Sequence, residues 1–390
     1  MDAAERLEGA TLLDHAEREV RIRGLDRIPI VDVDAHHFEQ ESWQEIAAYV
    51  DRPLLRRVIQ EPGSLDQVMP GQVGVRRLGG RIKRDVPPDL GVDAETALVR
   101  KVVWANRKLG IRYCILFPTA MLTLGVHPST EVEVAVARAY ARWMTERILP
   151  DGYRYGIRSM LYLPVGDPEE ALRIVEEFGD RRGIVGVMIT GVRYTPIMQR
   201  HFLKVLRAVE ERGLPVALHP VAYWQERAFE QLNRFLGVHA LGFPFYNMIH
   251  MTNILINGLP ERFPGIRWIF LECGLTYLVF LRYRLDSEYV MRVSEAPLLR
   301  KLPSQYMAEF YYSTQPLELF EDEAALRWVV DQIGGPARLL YSSDYPHWDF
   351  DPPWRIWDLR CFTEEEKRAI LGGNAMRLFS LDREGDDGGS

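Results

Sequence analysis

Eight short apolar runs, most of them followed by a helical pattern, constrain this chain more than any other feature. They are IPIVDVD (28–34), IRYCILFPT (111–119), GIRSMLYLP (156–164), GIVGVMIT (183–190), LPVALHP (214–220), GIRWIFLECG (265–274), AEFYYST (308–314) and ARLLYSSDYPH (337–347). Continuous aliphatic runs, rather than alternating ones, mark strands buried on both faces, and helices between them imply parallel strands. Helix signals stand where this requires. Asp167-Pro168 opens one helical segment, and Gly213 closes the next in the C′ position. The pattern predicts an α/β chain with a (β/α)8 TIM barrel and insertions after strands 1 and 5. A doubly wound open sheet would show a Gly-rich phosphate turn after its first strand, where this chain has AHHFEQ. The expected organisation is a helical extension over 1–25, a single metal-dependent catalytic domain over 26–382 and a disordered tail over 383–390.

Composition narrows the function classes. A formal charge of −7 argues against nucleic acid as a partner. No apolar run approaches the roughly 18 residues of a membrane span. The charged N-terminal stretch lacks the apolar core of a signal peptide, and three widely spaced cysteines fit a reducing compartment. A cytoplasmic location is expected.

Barrel enzymes carry their chemistry at the C-terminal ends of the strands. Strand 1 ends in Asp34, His36 and Glu39, strand 5 in His219, strand 6 in Glu272, and strand 8 in Asp344 and His347. Asp34 and His36 are two apart, so both point to one face. Singly, each has an ordinary structural reading, such as a turn cap or a hydrogen-bonded loop residue. Together they are carboxylates and imidazoles crowded at one rim, and a cation removes the repulsion that such crowding costs. The set is oxygen-rich and without thiolate, which favours iron or manganese over structural zinc. Seven candidates exceed the needs of one ion and suit two, with carboxylates as bridges. All seven are therefore expected metal ligands and catalytic residues.

The segments DVDAHHFE, ALHP, RFPGIRWIFLECG, YSSDYPH and GGNAMRLF resemble the amidohydrolase superfamily, in its decarboxylase-like branch, across most of 28–380. That family usually has His-x-His at strand 1, where this chain has Asp34-Ala35-His36, and a His at strand 6, where it has Glu272. The binuclear hydrolases of the family use a carboxylated Lys at strand 4, which GIVGVMIT lacks. With these departures the pattern looks like the TIM-barrel nonheme diiron monooxygenases, whose known example is a diterpenoid hydroxylase of antibiotic biosynthesis. The resemblance implies two Fe ions, dioxygen as co-substrate, and hydroxylation of an unactivated C–H bond in an apolar acyl substrate carried as a coenzyme A thioester. It also implies an external electron donor or reductase, since the chain has no flavin or nicotinamide fingerprint. The alternative is a mononuclear Zn- or Mn-dependent decarboxylase or hydrolase of the older family type. Family barrels are often homodimers.

Other residues carry weaker signals. His37 should face away from His36 and be structural. His127, His239 and His250 are loop or insertion residues, and Cys273 reads as a small buried residue. Arg76, Arg77, Arg81, Lys83 and Arg84, around Gly79-Gly80, can be read as a coenzyme A phosphate site or as a solvated loop. Tyr223, Trp224, Phe235, Phe243, Phe245 and Tyr246 make the strand-5 insertion aromatic, as a lid or a dimer interface would be.

Overall fold

The computed structural model describes residues 7–69, 82–83, 89–190, 196–221 and 227–381. Eight strands form one parallel sheet: β1 (Ile30–His37), β2 (Ile111–Pro118), β3 (Ile157–Tyr162), β4 (Ile184–Thr190), β5 (Val216–His219), β6 (Trp268–Phe270), β7 (Tyr311–Ser313) and β8 (Leu339–Leu340). Their order in space is their order in sequence. Beyond β8 the backbone continues along β1. The Val33 N–H donates to Tyr341 O at 3.0 Å, the Asp344 N–H to Asp34 O at 2.9 Å, and the His36 N–H to Tyr345 O at 2.8 Å. These bonds join the two edges into a nearly closed barrel, and helices alternate with the strands, which is the (β/α)8 arrangement.

Every residue of β1, β3, β4 and β5 is buried, as their unbroken apolar runs require. The outer helices include α1 (Gly9–Arg23), α2 (Ala97–Leu109), α3 (Thr130–Trp143), α4 (Pro168–Phe178), α5 (Leu203–Glu211), α6 (Phe235–Ile256) and α7 (Thr276–Met291). Their ends follow local chemistry. Asp167 accepts from the Glu169 and Glu170 amides at 3.1 Å, and Thr96 from Val99 at 3.3 Å. Gly213, at φ 63°, follows the end of α5 in the left-handed conformation expected of a C′ residue. The helix of the N-terminal extension, α1, buries Leu13, Ala16 and Val20 and is tied down by Lys108 with Asp14 (2.8 Å) and Glu17 (2.6 Å).

Strands 6, 7 and 8 are shorter than their apolar runs. Glu272 (φ 53°) and Asp344 (φ 58°) take left-handed backbone beyond β6 and β8, a conformation that does not continue a ladder. The strand-5 insertion contains α6, with Phe243 and Tyr246 on its buried side and Leu236, Leu241 and Ile249 exposed. The basic patch of Arg76, Arg77, Arg81 and Arg84, the Lys83 side chain, Tyr223, Trp224 and the tail 383–390 lie outside the described residues.

Two features of the packing generate expectations. Gly372, in the last helical segment, passes so close to the start of β1 that a Cβ there would lie 1.9 Å from Pro29 O. Gly372→Ala is expected to cost about 3 kcal/mol of unfolding free energy, read by urea denaturation. Glu133 on α3 is buried, and its Oε1 accepts from the Tyr162 hydroxyl at 3.4 Å. Burial pushes its carboxyl up from 4.5 to about 7. The folded state therefore keeps a proton that the unfolded chain releases, and this contribution to stability is lost as pH rises from 4.5 towards 7. Glu133→Gln should flatten that part of the stability-against-pH curve.

Candidate metal centre

The alternation of β1 places Asp32, Asp34 and His36 on one face. Asp32, not among the expected ligands, staples the barrel seam. Its Oδ1 accepts from the Asp34 amide (3.1 Å) and the Ser343 amide (2.9 Å), and the Ser343 hydroxyl bonds its Oδ2. Burial pushes the Asp32 carboxyl up to about 6.

Two imidazoles converge above it. His36 and His219 are fully buried at their side chains, with Nε2 atoms 3.1 Å apart. His36 Nδ1 lies 3.1 Å from Pro118 O, and His219 Nδ1 lies 3.0 Å from Pro220 O. A carbonyl only accepts, so each Nδ1 carries the proton and each neutral ring turns an Nε2 lone pair inward. Burial holds the His36 imidazole below its ordinary pKa, which favours that neutral form. Asp34 Oδ1 stands 3.2 Å from His36 Nε2 and 3.3 Å from His219 Nε2. Glu272 completes the group with Oε2 3.5 Å from His219 Nε2, and its amide is fixed by Ser313 Oγ at 2.9 Å.

Asp344 and His347 flank His36 on the other side. Asp344 Oδ1 is 3.5 Å from His36 Nε2 and 2.6 Å from His347 Nδ1, while Gln315 Nε2 donates to Asp344 Oδ2 at 3.3 Å. His347 Nε2 is 3.1 Å from Thr119 Oγ1. Both His347 nitrogens are thus engaged, unlike the inward Nε2 atoms of His36 and His219.

Glu39 does not join the others. Its carboxylate is turned to the loop after β2, where it accepts from the amides of Thr119 (3.0 Å), Ala120 (2.9 Å) and Met121 (2.7 Å). His37 bonds the Tyr140 hydroxyl at 2.9 Å and points away, as expected. His127 engages Ser129 beside it, and His239 lies 3.7 Å from Asp349 at the mouth. His250 is half-buried on α6, and desolvation lowers its pKa to about 4. Cys273 is a buried thiol that Asn247 Nδ2 contacts at 2.7 Å.

The donor set fits a metal ion. Asp34 Oδ1 and Oδ2 are buried and receive no hydrogen bond among the described residues, and the imidazoles beside them have no second N–H to give. Two lone pairs and a carboxylate oxygen about 3 Å apart repel one another, yet that is the spacing of neighbouring donors around an ion bound at about 2.1 Å. Asp34, His36, His219 and Glu272 form one such group, and His36, Asp344 and His347 a second. The groups share His36, whose single inward nitrogen serves one ion at a time. The geometry thus supplies one complete centre with Asp344 at its edge. Thr119, Gln315 and Ser313, which orient the ligands, were not legible as site residues, since hydroxyls and amides at strand ends are common.

A (β/α)8 barrel whose strand ends converge on buried imidazoles and carboxylates is the frame of a metal-dependent enzyme. A family model described as amidohydrolase matches residues 94–381. The chain belongs to that family. It is 24% identical over 292 residues to a gamma-resorcylate decarboxylase of a Polaromonas species, covering 70% of this chain and 85% of that one. Among solved structures, 5-carboxyvanillate decarboxylase LigW from Sphingomonas paucimobilis is similar at 20% identity and TM-score 0.63, covering 90% of this chain and 99% of the other. A dihydroxybenzoic acid decarboxylase from Polaromonas, with bound manganese and the inhibitor 2-nitroresorcinol, is similar at 18% identity and TM-score 0.62, covering 91% and 98%. These relatives overturn the expected monooxygenase, and with it the two irons and dioxygen. The resemblance to the amidohydrolases holds, but not its narrowing to the diiron branch. Exchanging His for Asp34 and Glu272 changes ligand charge without adding the independent second site that two irons need.

Protein purified without chelator is expected to carry close to one divalent ion per chain by plasma mass spectrometry. His219→Ala should lower occupancy about tenfold or more. Stripping the ion should lower the melting temperature, because a ligand bound only to the folded state stabilises it. Two ions per chain in the wild type would contradict the shared role of His36.

Proposed function

We propose that this chain is a mononuclear, metal-dependent decarboxylase that acts without oxidation on a planar aromatic or conjugated carboxylate with a neighbouring oxygen substituent. The observation that carries the reading is the convergence of the His36 and His219 lone pairs on the Asp34 carboxylate. The decarboxylase relatives support the reaction class. Asp34, His36, His219 and Glu272 would hold the ion, with Asp344 at the edge; manganese or zinc suits this mixture of imidazole and carboxylate. When bound, the ion would polarise the substrate oxygens as a Lewis acid.

The chain's own residues account for the proton. Breaking the bond to the carboxyl carbon releases carbon dioxide and leaves an electron pair on the ring carbon, which must be protonated. No electrons enter or leave, so no reductase is required. The 2.6 Å contact between Asp344 Oδ1 and His347 Nδ1 holds a proton at the edge of the site, and Thr119 fixes the far nitrogen of that ring. We assign this pair as the general acid. With His347 protonated, the carboxylates of Asp34, Glu272 and Asp344 and one divalent ion sum to zero, so a bound substrate carboxylate brings the site to a net charge of only −1. The carboxylate of Glu272, where the family usually places an imidazole, sets that balance.

The holoprotein is expected to release carbon dioxide from a member of a panel of hydroxylated aromatic carboxylates that includes gamma-resorcylate and 5-carboxyvanillate. In deuterated water the product should carry deuterium at the carbon that lost the carboxyl group. His347→Ala should lower kcat by about 100-fold or more while leaving metal content intact. Hydrolysis of an amide or lactone, with no carbon dioxide from any carboxylate tried, would overturn the reading.

A further inference from the structure

We propose a second site, for a small molecule carrying two or more phosphate groups, in an arginine-lined groove at the opposite end of the barrel. The groove encloses about 860 Å³ and is lined by Arg112, Arg154, Arg158, Arg181, Arg182 and Tyr153, among others. Arg112 follows the first residue of β2, Arg158 the first residue of β3, and Arg181 and Arg182 precede β4. The metal centre lies at the other ends of these strands, roughly 20 Å away at about 3.3 Å per residue. The two sites are therefore separate.

The charge balance here is unusual for this molecule. Among the described residues no Asp or Glu lines the groove, and Arg112, Arg154, Arg181 and Arg182 form no ion pair with a carboxylate. Asp151 acts on Arg154 through space, but its carboxylate is held by the Thr96 and Glu95 amides. A neighbouring groove gives the contrast. There Arg52 meets Glu131 at 3.3 Å, and Arg138 meets Glu177 and Asp51. In a chain of net charge −7, carboxylates to neutralise the first groove are not scarce.

The arginines are held by rings and backbone. Arg158 is 2% exposed, stacks 3.6 Å over Tyr153, and donates to Tyr153 O (3.1 Å) and Ile157 O (2.9 Å). Arg182 covers Tyr153 at 4.0 Å, and Arg154 lies over Tyr155 at 4.8 Å while donating to Asp93 O at 3.0 Å. Stacking restricts the Arg154 and Arg182 guanidinium planes without neutralising them, so these forks are pre-set and less entropy is lost when an anion binds. Planar guanidinium forks match phosphate oxygens bidentately, and several in one groove of ligand-binding size call for a multivalent anion.

Calorimetry on the holoenzyme with pyrophosphate, ADP and adenosine tests this. Pyrophosphate and ADP are expected to bind saturably and adenosine not to bind. The paired substitution Arg112→Ala and Arg182→Ala should weaken pyrophosphate about tenfold or more, whereas Asp34→Asn at the metal centre should leave it unchanged. ADP binding tighter than pyrophosphate would assign a nucleotide, and equal binding a simple polyphosphate. No saturable binding by the wild type, equal affinity in the paired variant, or loss of binding in Asp34→Asn would overturn the proposal. A circular dichroism spectrum confirms that the paired variant is folded.

Discussion

The amide of Asp344 donates to the carbonyl of Asp34, and on that peptide contact the two halves of the metal centre meet. Asp34 and His36 belong to the first strand, and Asp344 and His347 follow the last. They lie more than 300 residues apart in sequence and become neighbours only when the barrel closes. Asp32 secures the closure from below with two bonds to Ser343, and a third, to the Asp34 amide, holds it within β1. A ligand set built across the closing seam exists only when the whole barrel is formed, so folding and site assembly are one event.

The cost of that arrangement is electrostatic. Asp34, Glu272 and Asp344 are all buried within a few ångströms of two neutral imidazoles. Isolated charges in such surroundings are expensive, and uncompensated carboxylates take up protons. The protein tunes the donors instead. Backbone carbonyls fix the tautomers of His36 and His219, Ser313 holds the Glu272 backbone, and Gln315 and His347 hold Asp344. These outer contacts set direction, and a cation at the focus would turn the repulsion into binding energy.

Much of this was legible in the sequence, because strand periodicity and the rim rule are local. The unbroken apolar runs marked all eight strands, and the polar residues at their ends include Asp34, His36, His219, Glu272 and Asp344, which the barrel brings together. Glu39 misled because its fate depends on three amides of the loop after β2, about 80 residues away. The expected pair of ions lacks support for a related reason. Counting donors treats each as independent, whereas His36 has one inward nitrogen and His347 spends both of its own on Asp344 and Thr119. The narrowing to an oxygenase rested on ligand type at Asp34 and Glu272, and ligand type alone does not separate the chemistries one barrel can host.

Glu272 and Asp344 share an uncommon trait: each carries its functional carboxylate on a left-handed backbone. For residues other than glycine that conformation is disfavoured, by roughly 1–2 kcal/mol, and Asp tolerates it better than Glu. Selection for robustness alone would drive both positions towards glycine. Holding acids at these two corners therefore costs stability that glycine would spare, and the Glu at 272 is the less comfortable of the pair.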